Sequence, residues 1–213
     1  MTTINQKYEI TDIAHAQYPF LHRIRALRDI GSEVKASGLG GFVESESNLS
    51  FEPGDDAWIF NDAIAANTAY VDKGSSLRDR AVACDHAYIS HESVMLGDAR
   101  AEDDAYVRGS TLMKNARVSG TSMILQSQNT GKAPILSGHC TVYGTVVGDV
   151  RVTGKAVVIT GEKIYNETRD TLFLNERGRS IVRDASRDEL RPHRYPGQPA
   201  AQKEKGRKRG QDR

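Results

Sequence analysis

Small residues recur every six positions through the middle of this chain: Ala57, Ala63, Ala69, Ser75, Ala81, Ala87, Ser93, Ala99, Ala105 and Thr111. Two residues after each stands Ile59, Ala65, Val71, Leu77, Ala83, Ile89, Met95, Ala101, Val107 or Met113. Positions two apart face the same side of an extended segment, so each pair marks a short strand with one inward face. Two residues further on come Asn61, Asn67, Lys73, Asp79, Asp85, His91, Gly97, Asp103, Gly109 and Asn115. Gly, Asn and Asp dominate there, the residues that tolerate the positive φ of a tight corner. A strand and a corner in every hexad predict a triangular coil with three strands per turn.

A superperiod of 18 residues supports that geometry, with Ala69-Tyr70-Val71, Ala87-Tyr88-Ile89 and Ala105-Tyr106-Val107 in equivalent places. One wall then stacks Ile59, Leu77, Met95 and Met113 inward, and the next stacks Ala63/Ala65, Ala81/Ala83 and Ala99/Ala101. Large side chains on one wall facing alanines on another fill a narrow prism without voids. On these residues the chain resembles the hexapeptide-repeat, trimeric LpxA-like superfamily over residues 43–160. The resemblance implies an all-β, left-handed parallel β-helix, and the spacing predicts about six coils. The register slips by one after Thr111, where Ala116-Arg117-Val118 arrives early. Residues 127–133 (SQNTGKA) read as a polar loop, after which hexads resume at Pro134-Ile135-Leu136 and Cys140-Thr141-Val142.

A solenoid exposes strand edges and an open core at its ends, so caps are required. Residues 1–42 are expected to form the first cap, and residues 161–190 the second, with a hairpin through Leu172-Phe173-Leu174 and Ile181-Val182. The string IRALRDIGSEVKASGLGGFVESESNLS resembles the entry segment of YdcK-like proteins, which are associated with phages and prophages. That resemblance implies a lineage in which a phage accessory or counter-defence role, inhibiting a host system, is expected.

The formal net charge of +1 conceals a division. Residues 191–213 carry eight bases and two acids, which leaves 21 bases and 26 acids for residues 1–190. The last segment is rich in Pro and basic residues, and its composition predicts a disordered tail. Its run Lys203, Lys205, Arg207, Lys208 and Arg209 has no interleaved aromatic residue, so only nonspecific contact with nucleic acid is expected. No apolar run is long enough for a membrane helix, and polar residues at Met1–Gln6 precede Lys7, so a cytoplasmic protein is expected.

Three features offer chemistry. The superfamily resemblance implies an acyltransferase using acetyl-coenzyme A or another acyl-coenzyme A, with a histidine base drawn from His86, His91 or His139. One rung of about 4.8 Å would let Asp104 orient His86. Tyr70, Tyr88 and Tyr106 fall between inward positions and should form an outward ladder continuing to Met123, a face suited to a homodimer, a homotrimer or a protein partner. Asp56, Asp62, Asp79, Asp85, Asp98, Asp103 and Asp104 decorate corners and coil starts, and a negative rod of this kind would imitate nucleic acid towards a DNA-binding protein. No metal-binding or phosphate-loop pattern is present, and no cofactor is expected outside the acyltransferase alternative. Cys140 takes a small inward position, and Cys84 lies at a corner. The balance of these features favours a non-enzymatic binding or scaffolding protein that self-associates.

Overall fold

The structure is a computed structural model that describes residues 4–184. Apart from one 3₁₀ turn, Glu46–Asn48, every regular element among them is a strand, and the strands stack into three walls of a parallel β-solenoid. The first wall runs from Leu39–Val43 through Ile64–Ala65, Val82–Ala83, Arg100–Ala101, Arg117–Val118 and Thr141–Val142 to Val157–Val158. The second begins at Trp58–Ile59 and ends at Thr171–Asn175, and the third runs from Tyr70–Val71 to Lys163–Asn166. Rungs pair in register, as in Tyr70↔Tyr88 and Tyr88↔Tyr106.

There are about seven turns, not six. Leu39–Val43 belongs to the solenoid as its first rung, because Phe42 and Val43 pair in parallel with Ile64 and Ala65. Thr171–Asn175 likewise pairs in parallel with Val150–Val152 before the hairpin turns back through Gly178–Val182. Irregular sequence hides both rungs, since each meets a parallel rung on one edge and an antiparallel cap strand on the other.

The register slip falls one hexad earlier than the spacing suggests. Ser110 and Leu112, at 2% and 0% exposure, take the inward places expected for Thr111 and Met113, and Val94 pairs with Thr111. Lys114, with φ of 62°, replaces Asn115 at the corner. Ser110 and Thr111 are both small and polar, so the hexad alone does not separate them. The nine other expected corner residues do adopt positive φ.

Inside the prism, wall volumes compensate along the axis. Met95 on the second wall shares a turn with Ala101 on the first, Leu112 with Val118, and Val152 with Val158, all of them fully buried. A larger first wall thus accompanies a smaller second wall, as close packing requires.

The corners are held by a side-chain ladder. Asn61 Oδ1 accepts from Asp79 N at 3.3 Å, and Asp79 Oδ2 accepts from Gly97 N at 2.8 Å. On the next edge Asn67 Oδ1 accepts from Asp85 N, Asp85 Oδ2 from Asp103 N, and Asp103 Oδ2 from Gly120 N at 2.8 Å. A corner amide lacks a strand partner, and an Asn or Asp one rung below supplies it. At the third edge the buried hydroxyl of Ser75 accepts from Ser93 N, and that of Ser93 from Ser110 N, both at 3.2 Å.

At the first end, antiparallel strands Tyr8–Ala14 and His22–Ala26 extend the first wall. Tyr8 packs edge-on against Trp58, the ring centroids 6.2 Å apart, and donates from its hydroxyl to Leu49 O at 2.9 Å. Lys7 is buried beside it and donates from Nζ to Ser50 O at 2.8 Å. Burial pushes the Lys7 ammonium down to about 8, against a smaller opposing pull from Asp55. Gly40 closes this end because a side chain has no room there. A Cβ would stand 2.6 Å from Ile24 Cγ1, 2.7 Å from Ile59 O and 2.8 Å from Trp58 Cζ2.

Candidate binding wall

The third wall carries two outward columns. Pairing aligns Tyr70, Tyr88, Tyr106, Met123, Thr145 and Lys163 in one, and Ser90, Arg108, Leu125, Val147 and Tyr165 in the other. The three tyrosines stack as the 18-residue period implies, with centroids 5.9 Å and 5.1 Å apart and interplanar angles of 23° and 13°. They are half-buried rather than freely exposed, because each ring covers its neighbour. Tyr88 Oη donates to Asp72 Oδ2 at 2.8 Å. Burial pushes the Tyr88 phenol up to about 12, and the Asp72 charge adds to it.

Past Tyr106 the wall becomes a groove of about 710 Å³ in which apolar side chains alternate with polar and charged ones. Met123, 45% exposed, and Tyr165, 59% exposed, lie along it with Leu125 and Val147 between. Residues 127–133 form the expected loop and rim the groove. Ser127 N donates to Lys132 O at 2.8 Å, closing the loop upon itself. Ser127 Oγ and Asn129 Nδ2 donate to Glu167, and Lys132 Nζ reaches the buried Asp149 at 2.9 Å. The loop is therefore tied to the last rungs and does not simply project from a corner. Arg108 and Lys163 line the groove without an ion pair to any described residue.

The histidines are not assembled into a catalytic group. His86 Nδ1 lies 3.7 Å from Asp104 Oδ1, a pair juxtaposed as the rung spacing implies, yet the side chains are 70% and 68% exposed and too far apart for a hydrogen bond. His139 is exposed, and its backbone N–H is bound to Gly154 O. His91 sits at the groove's edge with Nδ1 2.7 Å from Ser90 Oγ. Burial first, then Arg108 and Lys73, hold its imidazole below the usual range. Cys140 is buried and Cys84 half-buried, and burial pushes each thiol up to about 11, away from nucleophilic character.

The acidic column has structural work of its own. Asp79, Asp85 and Asp103 accept from backbone amides as described, Asp62 pairs with Arg23 at 2.5 Å, and Asp98 with Arg80 at 2.7 Å. Asp56 makes no such bond with a described residue, and Asp104 has only its 3.7 Å approach to His86. Lys203, Lys205, Arg207, Lys208 and Arg209 lie outside the described residues. Among the described residues no cluster of three His, Cys, Asp or Glu side chains is arranged to hold a metal, and no helix is long and apolar enough to cross a membrane.

Reading the sequence missed Leu125, Val147 and Tyr165. They stand two residues after outward positions Met123, Thr145 and Lys163, and only rungs aligned across the slip and the loop bring them into one column. No protein-family model matches the chain, and no curated protein matches its sequence.

Proposed function

We propose that the chain is a cytoplasmic, non-enzymatic binding and scaffolding module that self-associates through the third wall. The observation that carries this reading is the groove through Tyr106, Met123, Leu125, Val147 and Tyr165, an apolar strip on a rigid stack of rungs, rimmed by a loop anchored to the same stack. Contiguous apolar surface of this kind on a solenoid wall is buried well by a second flat wall. In the phage setting that the entry-segment resemblance implies, the assembled module would present its remaining walls to a host protein.

Mass measured by light scattering during size exclusion tests it. Met123→Lys places a charge at the strip's exposed centre without touching the core, and the expected result is conversion of an oligomer to a monomer with an unchanged melting temperature. A monomeric wild-type chain, or an oligomer that ignores the substitution, would overturn the reading. The acyltransferase alternative draws on His91 at the groove's edge. Thermal stabilisation by millimolar acetyl-coenzyme A, lost in His91→Ala, would replace the binding-module reading with it.

A further inference from the structure

We propose a second site, at the opposite end of the same wall: a pocket that receives the lysine and arginine side chains of a basic segment on a partner protein. It goes beyond the reading above, since it needs nothing of Met123, Leu125 or Tyr165. The pocket has a volume of about 640 Å³ and lies between residues 50–56 and the corner after Tyr70. Its lining includes five carboxylates, Glu52, Asp55, Asp56, Asp72 and Glu92, against the one base Lys73.

What sets these carboxylates apart is how few are engaged. Over most of the solenoid, acidic side chains are consumed by corner amides or by arginines, as at Asp62, Asp79, Asp85, Asp98 and Asp103. In the pocket only Asp55 is spent in that way, on the amides of Ala57, Lys73 and Gly74. The carboxylates of Glu52, Asp56 and Glu92 hold no hydrogen bond or ion pair with a described residue. Asp72 adds an independent sign of a missing ligand. It is 7% exposed, its Oδ2 accepts from Tyr88, and its Oδ1 is buried with no partner. An unpaired buried carboxylate oxygen is costly, and a cationic donor entering the pocket would relieve it.

The chemistry favours an organic cation. The carboxylates do not converge as metal ligands do, so they suit a guanidinium or ammonium on a long stem. Tyr70 lines the same pocket, and an aromatic ring there adds attraction for a cation. Several carboxylates around one aromatic ring would accept successive basic side chains of one extended segment.

Fluorescence anisotropy of a labelled hexa-arginine peptide, titrated with the full chain, tests the site. Saturable binding is expected, weakened about tenfold by Glu52→Gln/Asp56→Asn/Glu92→Gln and less than twofold by the control Asp12→Asn/Asp104→Asn, because three exposed charge contacts together approach a factor of ten. Asp72→Asn keeps the acceptor for Tyr88 while removing the charge, and should weaken binding alone. Carbodiimide labelling of Glu52, Asp56 and Glu92 should be blocked by the peptide, and that of Asp12 and Asp104 should not. Equal weakening by both charge-removed variants, or no peptide protection of the pocket carboxylates, overturns the proposal. A loss of self-association leaves these readouts untouched, and the reverse holds as well.

Discussion

Gly40→Ala tests whether the first rung is seated as tightly as its contacts indicate. The added methyl would lie 2.6 Å from Ile24 Cγ1, 2.7 Å from Ile59 O and 2.8 Å from Trp58 Cζ2, about 1 Å inside normal contact on three sides. Ile24, Trp58 and Ile59 are all buried, and one of the three contacts is backbone, so relief requires the strand to lift from the end of the prism. Overpacking of this kind costs about 1–3 kcal/mol, and backbone involvement places Gly40 at the upper end. Restricting the unfolded chain returns about 0.4–1 kcal/mol, leaving a net loss of about 2 kcal/mol. For a chain of this size that lowers the melting temperature by roughly 4–8 °C. Trp58 is the single tryptophan, so its emission reports on the end of the prism directly. The expected result is a lower melting temperature, by fluorescence and by calorimetry, with a red-shifted native spectrum. A variant that melts within about 1 °C of the parent, a change well below the expected net loss, with unchanged emission refutes the reasoning.

Two further outcomes follow from the corners and the first cap. Asp79→Ala removes the acceptor for the Gly97 amide and puts alanine at a φ of 59°, and the two together should cost about 2–3 kcal/mol in urea denaturation, whereas Asp79→Asn, which keeps an oxygen and tolerates the corner, should cost much less. Lys7 has a folded pKa of about 8 against an ordinary 10.5, so its contribution to stability is present above 10.5 and is lost as pH falls through about 8. Between those limits parent stability should rise with pH by about 3 kcal/mol relative to Lys7→Met, measured as the difference between paired denaturation curves.

The hexad made most of the fold legible because each of its positions obeys a separate local rule. Inward places are small or aliphatic, corners are Gly, Asn or Asp except at Lys73 and His91, and the register holds along nine rung segments before Ser110 interrupts it. The slip was harder to place because Ser110 and Thr111 satisfy the same rule. Leu39–Val43 and Thr171–Asn175 escaped because an end rung answers to one neighbour and a cap. Asn and Asp were legible as corner residues, but their bonds to the next rung were not, since periodicity says nothing about which side-chain atom meets which amide. The tyrosine ladder was visible in one column. Its continuation into a groove depends on an inserted loop and on Glu167, 40 residues beyond Ser127. The acidic pocket gathers residues 50–56, which have no hexad, against Asp72 and Glu92, and only the folded chain joins them.

The corner ladder ties each turn to the next through the same set of hydrogen bonds. A turn supplies the acceptors for the one above and receives donors in the same pattern, so its length of 18 residues is a unit of growth. Duplicating or deleting such a unit between Asn67 and Asp85 would leave both caps in place, but it would remake the acidic pocket, which takes Tyr70, Asp72, Lys73 and Gly74 from that turn and Glu92 from the next. The pocket takes the first rungs of the wall and the groove the later ones, and they adjoin where Glu92 lines one and His91 the other. No spare turn separates them, so whatever binds at the two sites is held side by side, and the distance between the occupants is set by the fold itself.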